Sequence, residues 1–237
     1  MEYMRYMDLS VIIPALNEEK YIENCLKALK NQNFKGKYEI IVSDGGSKDR
    51  TVKIAKKYAK IIVDKDRTIA AGRQKGVEVS KGKILVFTDA DCRPSKRWLQ
   101  EIIKPLNNGA IGCHGTIIPY DGEEIEKKFC KNVFPKYSEL MIKLKRPASP
   151  GSNFAVRREA FEAIGGFDTE LVTGEDVDLA KRIAKIGKFV FNPKAIVYVS
   201  ARRVKCWGKG KYIKYYLMDS IKSHVFGKHC ENYPAIR

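Results

Sequence analysis

The chain has 237 residues, 44% of them hydrophobic and 31% charged, set in short apolar runs between polar segments. That length suits one large domain with a sizeable core, and the patterning excludes disorder and collagen-like architectures. Lys and Arg total 45 against 28 Asp and Glu, a formal net charge of +17; such a surplus suits nucleic acid, an anionic membrane surface or phosphorylated small molecules, or simply keeps Lys-rich faces solvated.

In chain order, Leu9 to Ile13 is a short β-branched run closed by Pro14, and Tyr21, Ile22, Cys25, Leu26 and Leu29 then share one helical face. Glu39 to Ser43 reads as a second strand, Asp44-Gly45-Gly46-Ser47 as a turn, and Asp49 to Tyr58 as a helix with Asp49 as its N-cap. Lys60 to Val63 is a strand, Thr68 to Ser80 a helix, and Lys83 to Phe87 a strand whose continuous apolar run suits burial on both faces. This βαβαβαβ succession predicts a mainly parallel sheet with helices on both sides.

The second half is less regular. Ala110 to Pro119 reads as a strand, Gly122 to Lys143 as a helical or mobile segment, and Ser152 to Arg157 as a strand leading into a helix over Glu159 to Ile164. Glu175 to Ile186 has Leu179, Ile183 and Ile186 on one face, and a strand pair, Phe189 to Phe191 and Ala195 to Val199, is expected around Asn192-Pro193. No repeat or long linker divides the chain. No stretch has the apolar length of a membrane-spanning helix, and Met1 to Asp8 carries charges where a secretory signal needs an apolar core, so the cytoplasm is the expected location. Six cysteines without CxxC spacing read as reduced packing residues, a Cys206–Cys230 bridge being the alternative.

Ligands of open parallel sheets collect beyond the carboxyl ends of the strands. There the sequence places Pro14-Ala15-Leu16-Asn17-Glu18, Asp44-Gly45-Gly46-Ser47 and Asp89-Ala90-Asp91. The glycines permit close backbone approach, and the polar groups suit a ribose or base. Asp89 and Asp91, two apart in an extended chain, face one side and could hold a hard divalent cation; equally, Asp91 could cap a helix starting near Ser95. Glu175-Asp176 at a helix start could complement the helix dipole, and His114 reads as a satisfied strand histidine.

These segments, with Ala71-Gly72-Arg73-Gln74-Lys75-Gly76, Gly151-Ser152-Asn153, Gly165-Gly166-Phe167-Asp168 and Gly174-Glu175-Asp176-Val177-Asp178, together and in this order resemble glycosyltransferase family 2. The resemblance runs from about Leu9 to Arg203. It implies the GT-A fold, an α/β Rossmann-like sheet, with a catalytic domain over 1–203 made of a nucleotide half (about 8–106) and an acceptor half (about 107–203). It implies an inverting transfer from a sugar nucleotide, a UDP-sugar being favoured, to an acceptor hydroxyl on a glycan or lipid-linked acceptor. Pro14, Ala15, Asn17, Glu18, Asp44 and Ser47 then map to base and ribose recognition, Arg73 to base or phosphates, and Asp89 to the ribose. Asp91 maps to the metal, Mn²⁺ or Mg²⁺, Asp176 to the general base, and Gly151, Ser152, Asn153 and Glu175 to the donor-sugar or acceptor side.

Two departures qualify the match. Many relatives carry a histidine after the late strand, where this chain has Ser200-Ala201-Arg202-Arg203, so either Asp91, the diphosphate and water hold the metal, or Arg202 and Arg203 do part of its work as diphosphate contacts; and Gly72-Arg73-Gln74 stands where relatives commonly show Ala-Arg-Asn. Beyond Arg203, a basic segment (204–237) carries Ile213, Leu217, Ile221 and Val225 at helical spacing among lysines and tyrosines, fit to pack on the domain or to rest on an anionic membrane as a peripheral anchor. The resemblance leaves a polyprenyl-phosphate sugar synthase as the alternative enzyme. A nucleic-acid-binding protein has only the charge in its favour, since no zinc, helix-turn-helix or aromatic RNA-binding pattern is present.

Overall fold

The structure, a computed structural model, describes residues 8–64 and 68–215 except 213. The first strand, β1 (Leu9–Ala15), lies between β2 (Tyr38–Asp44) and β4 (Ile84–Phe87), and β3 (Lys60–Val63) flanks β2, all parallel. The chain order reverses at β1: one crossover series runs outward to β3 and the next returns to β4. The switch in strand order therefore falls between β1 and β4, and the rim beyond their carboxyl ends is the usual ligand position in such sheets.

Helices α1 (Ile22–Lys30) and α4 (Trp98–Asn107) cover one face; α3 (Ile69–Glu78) and α8 (Glu175–Ile186) cover the other. Because both faces are covered, alternate residues of β1 enter different cores. Val11 and Ile13 pack with Ile22, Leu26, Trp98 and Leu99. Ile12 packs with Ala70, Phe87, Phe161 and Leu179. Helix α2 (Thr51–Ala55) is shorter than its periodicity predicts; Asp49 lies outside it, its carboxylate accepting the Thr51 and Glu19 N–H groups.

Beyond β4 the sheet becomes mixed. Strand β7 (Phe154–Arg157) runs antiparallel to both β4 and β6 (Gly112–Pro119). The strand pair expected around Asn192-Pro193 is instead one strand, β8 (Phe189–Val199), parallel to β6. Its pairing jumps from Gly115↔Asn192 to Thr116↔Ile196, so Pro193, which has no N–H to donate, sits in a bulge. The two-residue β5 (Arg93–Pro94) pairs antiparallel with β8 and completes an eight-stranded sheet of order β3-β2-β1-β4-β7-β6-β8-β5.

The 122–143 segment forms two successive helices, α5 (Glu124–Asn132) and α6 (Phe134–Lys143), broken at Val133 by the proline at the start of α6. A short α7 (Arg158–Ala163) follows β7, and α9 (Arg202–Trp207) follows β8. Among the described residues no helix is long and apolar enough to cross a membrane. Cys25, Cys92 and Cys113 are buried free thiols, as a packing role predicts. Cys230 lies outside the described residues, as does most of the helical spacing expected over 209–226.

His114 differs from expectation. It is fully buried between Phe134, Phe189 and Phe191, and neither ring nitrogen makes a hydrogen bond of ordinary geometry. Burial pushes its pKa down to about 4, so it packs as a neutral aromatic ring.

Candidate active site

The rim over β1 and β2 is built by reciprocal side chain–backbone bonds. Pairing of Ala15 with Asp44 sets the two loops side by side. Asn17 adopts a positive φ of 56°, tolerable for asparagine. Its N–H donates to Ser47 Oγ at 2.8 Å, and its Oδ1 accepts the Lys48 N–H at 2.9 Å. Asp44 Oδ2 accepts the Gly46 and Ser47 N–H groups at 3.0 and 2.9 Å, which closes the Asp-Gly-Gly-Ser turn. Asp44 Oδ1 and the neighbouring Ser43 Oγ are buried without a hydrogen-bond partner among the described residues. Such atoms carry a desolvation cost that a polar ligand would relieve.

After β4 the chain turns through Asp89-Ala90-Asp91, and the β5–β8 pairing, Arg93 opposite Tyr198, brings Asp91 to the start of α9. Asp91 does not cap α4. Its Oδ2 instead lies 2.9 Å from Arg202 Nε, and the same guanidinium forks onto Glu18 at 2.8 and 2.5 Å. Arg202 also stands over the Tyr21 ring at 4.8 Å. Arg203 stands over the Trp207 ring at 5.8 Å. Burial raises the pKa of Asp91 and of Glu18, and Arg202 partly counteracts both. One oxygen each of Asp89 and Asp91 and the Cys92 thiol lie within 4.8 Å of one another.

Arg73 projects from α3 and is buried, with 3% of its side chain exposed. One nitrogen donates to Asp89 Oδ1 at 2.8 Å and another to Glu175 Oε1. Glu175 and Asp176 open α8, which starts after Gly174, a residue at φ 71° that favours glycine. Asp176 accepts the Gly151 N–H at 2.5 Å and the Val177 N–H at 2.8 Å. Gly151 is required by the close approach: a Cβ there would meet the Arg73 guanidinium at 2.6 Å. Burial raises the pKa of Glu175 and of Asp176, and the proximity of Asp176 adds to the rise at Glu175. A single guanidinium faces Asp89, Glu175 and Asp176, of which Glu175 is buried and the other two half-buried, so the carboxyls of the helix start are pushed toward holding a proton.

The cluster thus joins residues expected at opposite ends of the reaction. Asn153 is the exception: its carboxamide is turned into the core, donating to Thr116 and Ala195 carbonyls at 2.9 and 2.8 Å and accepting Trp98 Nε1–H at 2.8 Å. Its side chain ties α4, β6 and β8 together rather than lining the donor-sugar or acceptor side. Two residues escaped the sequence reading. Asp121 holds the Arg202 segment in place by accepting the Ala201 N–H at 2.6 Å and pairing with Lys205 at 2.9 Å; the turn-forming Asp-Gly after β6, like that after β2, was the available signal. Tyr21, read only as part of the α1 apolar face, carries the Arg202 stack.

The family model for Glycosyl transferase family 2 matches residues 10–165, well over half the chain. The chain belongs to glycosyltransferase family 2. It is 31% identical over 194 residues to the glycosyltransferase AglE of Haloferax volcanii, a match that takes in 76% of this chain and 62% of AglE, so the chain spans less than two thirds of that relative. Among solved structures, TarS 1-349 of S. aureus in complex with UDP superposes with a TM-score of 0.66 at 21% identity over 82% of this chain and 60% of that TarS 1-349 chain. The mannosyltransferase PcManGT of Pyrobaculum calidifontis, in complex with GDP-Man and Mn²⁺, gives a TM-score of 0.64 at 21% identity over 91% of this chain and 66% of its own. At these identities the family members share the fold, and the mixed sheet described above is the GT-A architecture of these neighbours.

Proposed function

We propose that the chain is an inverting glycosyltransferase that moves a hexosyl or N-acetylhexosaminyl group from a nucleoside-diphosphate sugar to an acceptor hydroxyl on a glycan or lipid-linked molecule. The observation that carries this reading is the Arg73 bridge, which fixes the rim beyond β4, Asp89, against the helix start that bears Asp176. The half over 8–106 receives the nucleotide: Asp44 Oδ1 and Ser43 Oγ, buried and unpartnered, are matched by a base N–H or a ribose hydroxyl, with Asn17, Ser47 and Glu18 shaping the loop beside them. A UDP-sugar is the favoured donor, as TarS binds UDP; the GDP-Man complex of PcManGT makes the guanine nucleotide the comparison to run.

Asp176, held by two backbone N–H groups, accepts the proton of the acceptor hydroxyl while that oxygen bonds to the anomeric carbon. The bond from that carbon to the diphosphate oxygen breaks, its electron pair leaves with the nucleoside diphosphate, and attack opposite the departing group inverts the anomeric centre. The residues fit a hard divalent cation: Asp89 and Asp91 would supply oxygen ligands beside the Arg73 and Arg202 guanidinium groups that pair with them, whereas the buried Cys92 thiol, its pKa raised by burial, is a poor partner for Mg²⁺ or Mn²⁺. When bound, the metal would stabilise charge on the leaving diphosphate. Arg202, already at Asp91, is placed to share that charge with Arg203 nearby.

Titration calorimetry with UDP, GDP and their sugars in the presence and absence of Mn²⁺, combined with NMR of the anomeric proton of the product, tests the reading. The expected outcome is metal-enhanced binding of one nucleotide and an inverted product, with Asp91→Ala losing the metal enhancement, on the order of 10-fold or more. Failure of every nucleotide to bind, or retention at the anomeric centre, refutes it.

A further inference from the structure

The helices α5 and α6 stand apart from the rest of the molecule in how little they bury. Helix α5 has no buried residue, and α6 buries only Ser138. The inner side of α6 is spoken for: Phe134 packs on His114 and Phe191, and Ile142 packs against the core under α8. Its outer side is nevertheless apolar. Ile125, Phe129, Val133, Tyr137, Leu140 and Leu144 recur at helical spacing through both helices and are 39% to 70% exposed. Isolated exposed apolar residues are ordinary, but a continuous stripe marks a surface that meets something.

Charge selects what it meets. A lysine directly precedes three members of the stripe, as Lys128-Phe129, Lys136-Tyr137 and Lys143-Leu144, and Lys145 and Arg146 follow its end; all five cations are exposed. Of the acids nearby, Glu124 is paired with Lys127 and Glu123 with Lys209, leaving Glu126, whose carboxylate accepts the Glu123 N–H, and Glu139 within α6, against the five exposed cations. An apolar stripe edged by lysines is the pattern of a helix lying in the headgroup region of an anionic bilayer, where the apolar side chains enter the acyl boundary and the ammonium groups meet lipid phosphates. The chain's +17 charge adds long-range attraction of the same sign.

We propose that the outer face of α5 and α6 docks the protein on an anionic lipid bilayer. The stripe ends at Leu144, and the chain runs from there through Pro147 to Gly151, whose N–H is held by Asp176. The short segment 145–151 thus joins the docked face to the base-bearing end of the site, so an acceptor anchored in the bilayer would present its hydroxyl from that side. The docking stands independently of the transferase reading, because it is measured without any nucleotide.

The test is co-sedimentation of the full chain with vesicles of phosphatidylcholine alone and of phosphatidylcholine mixed with phosphatidylglycerol. It is run at about 0.1 M salt, where screening acts beyond about 10 Å. The wild type should partition onto the anionic vesicles only. The combined Ile125→Ser, Phe129→Ser, Leu140→Ser and Leu144→Ser variant should bind them at least tenfold more weakly while keeping its circular dichroism spectrum. The combined Lys128→Glu, Lys136→Glu and Lys143→Glu variant, whose apolar stripe is intact, should lose the preference for anionic vesicles by a similar factor. Failure of the wild type to partition, or undiminished binding of both variants, overturns the proposal. So does light scattering that shows a wild-type dimer split by the serine variant, which would make the stripe a contact between copies. Nucleotide calorimetry on the same samples reports separately on the donor site.

Discussion

The nucleotide half and the acceptor half stabilise their functional residues by opposite means. In the first, each loop is held by its sequence neighbours and the adjacent strand: Asp44 closes its own turn, and the Asn17 and Ser47 loops interlock through backbone N–H groups. In the second, position is set by a few polar side chains that reach across the molecule, Arg73 reaching over from the first. Arg73 is bonded to Glu175 across 102 residues, Asn153 to Trp98 across 55, and Arg202 to Glu18 across 184. Local hydrogen bonding tolerates the loss of one member; a lone buried linker does not.

Substitutions that break these long-range links should therefore cost more. Replacing Arg73 has the largest expected effect. Arg73→Met leaves the buried Glu175 and the half-buried Asp176 without a counter-charge and should destabilise the fold by about 3–5 kcal/mol, read by denaturant unfolding. Adding Glu175→Met to that variant should recover part of the loss, since the remaining cluster then carries less unpaired charge. Asn153→Leu comes next: it strips the partner from Trp98 Nε1–H and from two carbonyls, costing about 2–4 kcal/mol by the same measurement. Asn17→Gly, the matching change in the nucleotide half, keeps the positive φ and should cost about 1 kcal/mol or less, because its lost bond lies at the solvent-exposed Lys48 N–H. Equal losses at Asn153 and Asn17 would erase the distinction between the halves.

The smallest expected effect is on pH dependence. Glu175 and Asp176 hold protons more tightly folded than unfolded, so the stability they contribute is fully present below the ordinary carboxylate values of 4.5 and 3.8 and declines as pH rises through their raised folded values. Activity runs the other way, because the base must be ionised: transfer should rise with pH along an acid limb that lies above the ordinary aspartate range. A pH–rate profile checks this, and an acid limb at or below the ordinary value would remove Asp176 from the role.

The same division governs what the sequence discloses. The Asp-Gly-Gly-Ser turn, the Asp89-Ala90-Asp91 triplet and the first four strands are written in contiguous residues, so periodicity and turn chemistry reveal them. The antiparallel β7, the bulge that carries Pro193 within one strand and the break between α5 and α6 depend on neighbours far along the chain. No local pattern indicates that Asn153 turns inward, or that Arg202 spans Glu18 and Asp91. The Arg73 position was legible, but its partners were not, since Glu175 reads equally well as the acidic first turn of a helix.

The central claim is that Asp176 removes the acceptor proton and does little else. Asn is nearly isosteric and its carbonyl can still accept the Gly151 N–H, so Asp176→Asn keeps that hydrogen bond, giving up the one from the Val177 N–H, while removing the base. Donor binding by calorimetry and single-turnover transfer should be measured on the same preparation: the account predicts nucleotide affinity within about twofold of wild type and a transfer rate about 10²–10⁴-fold lower. A variant that binds donor normally and turns over at the wild-type rate would contradict it.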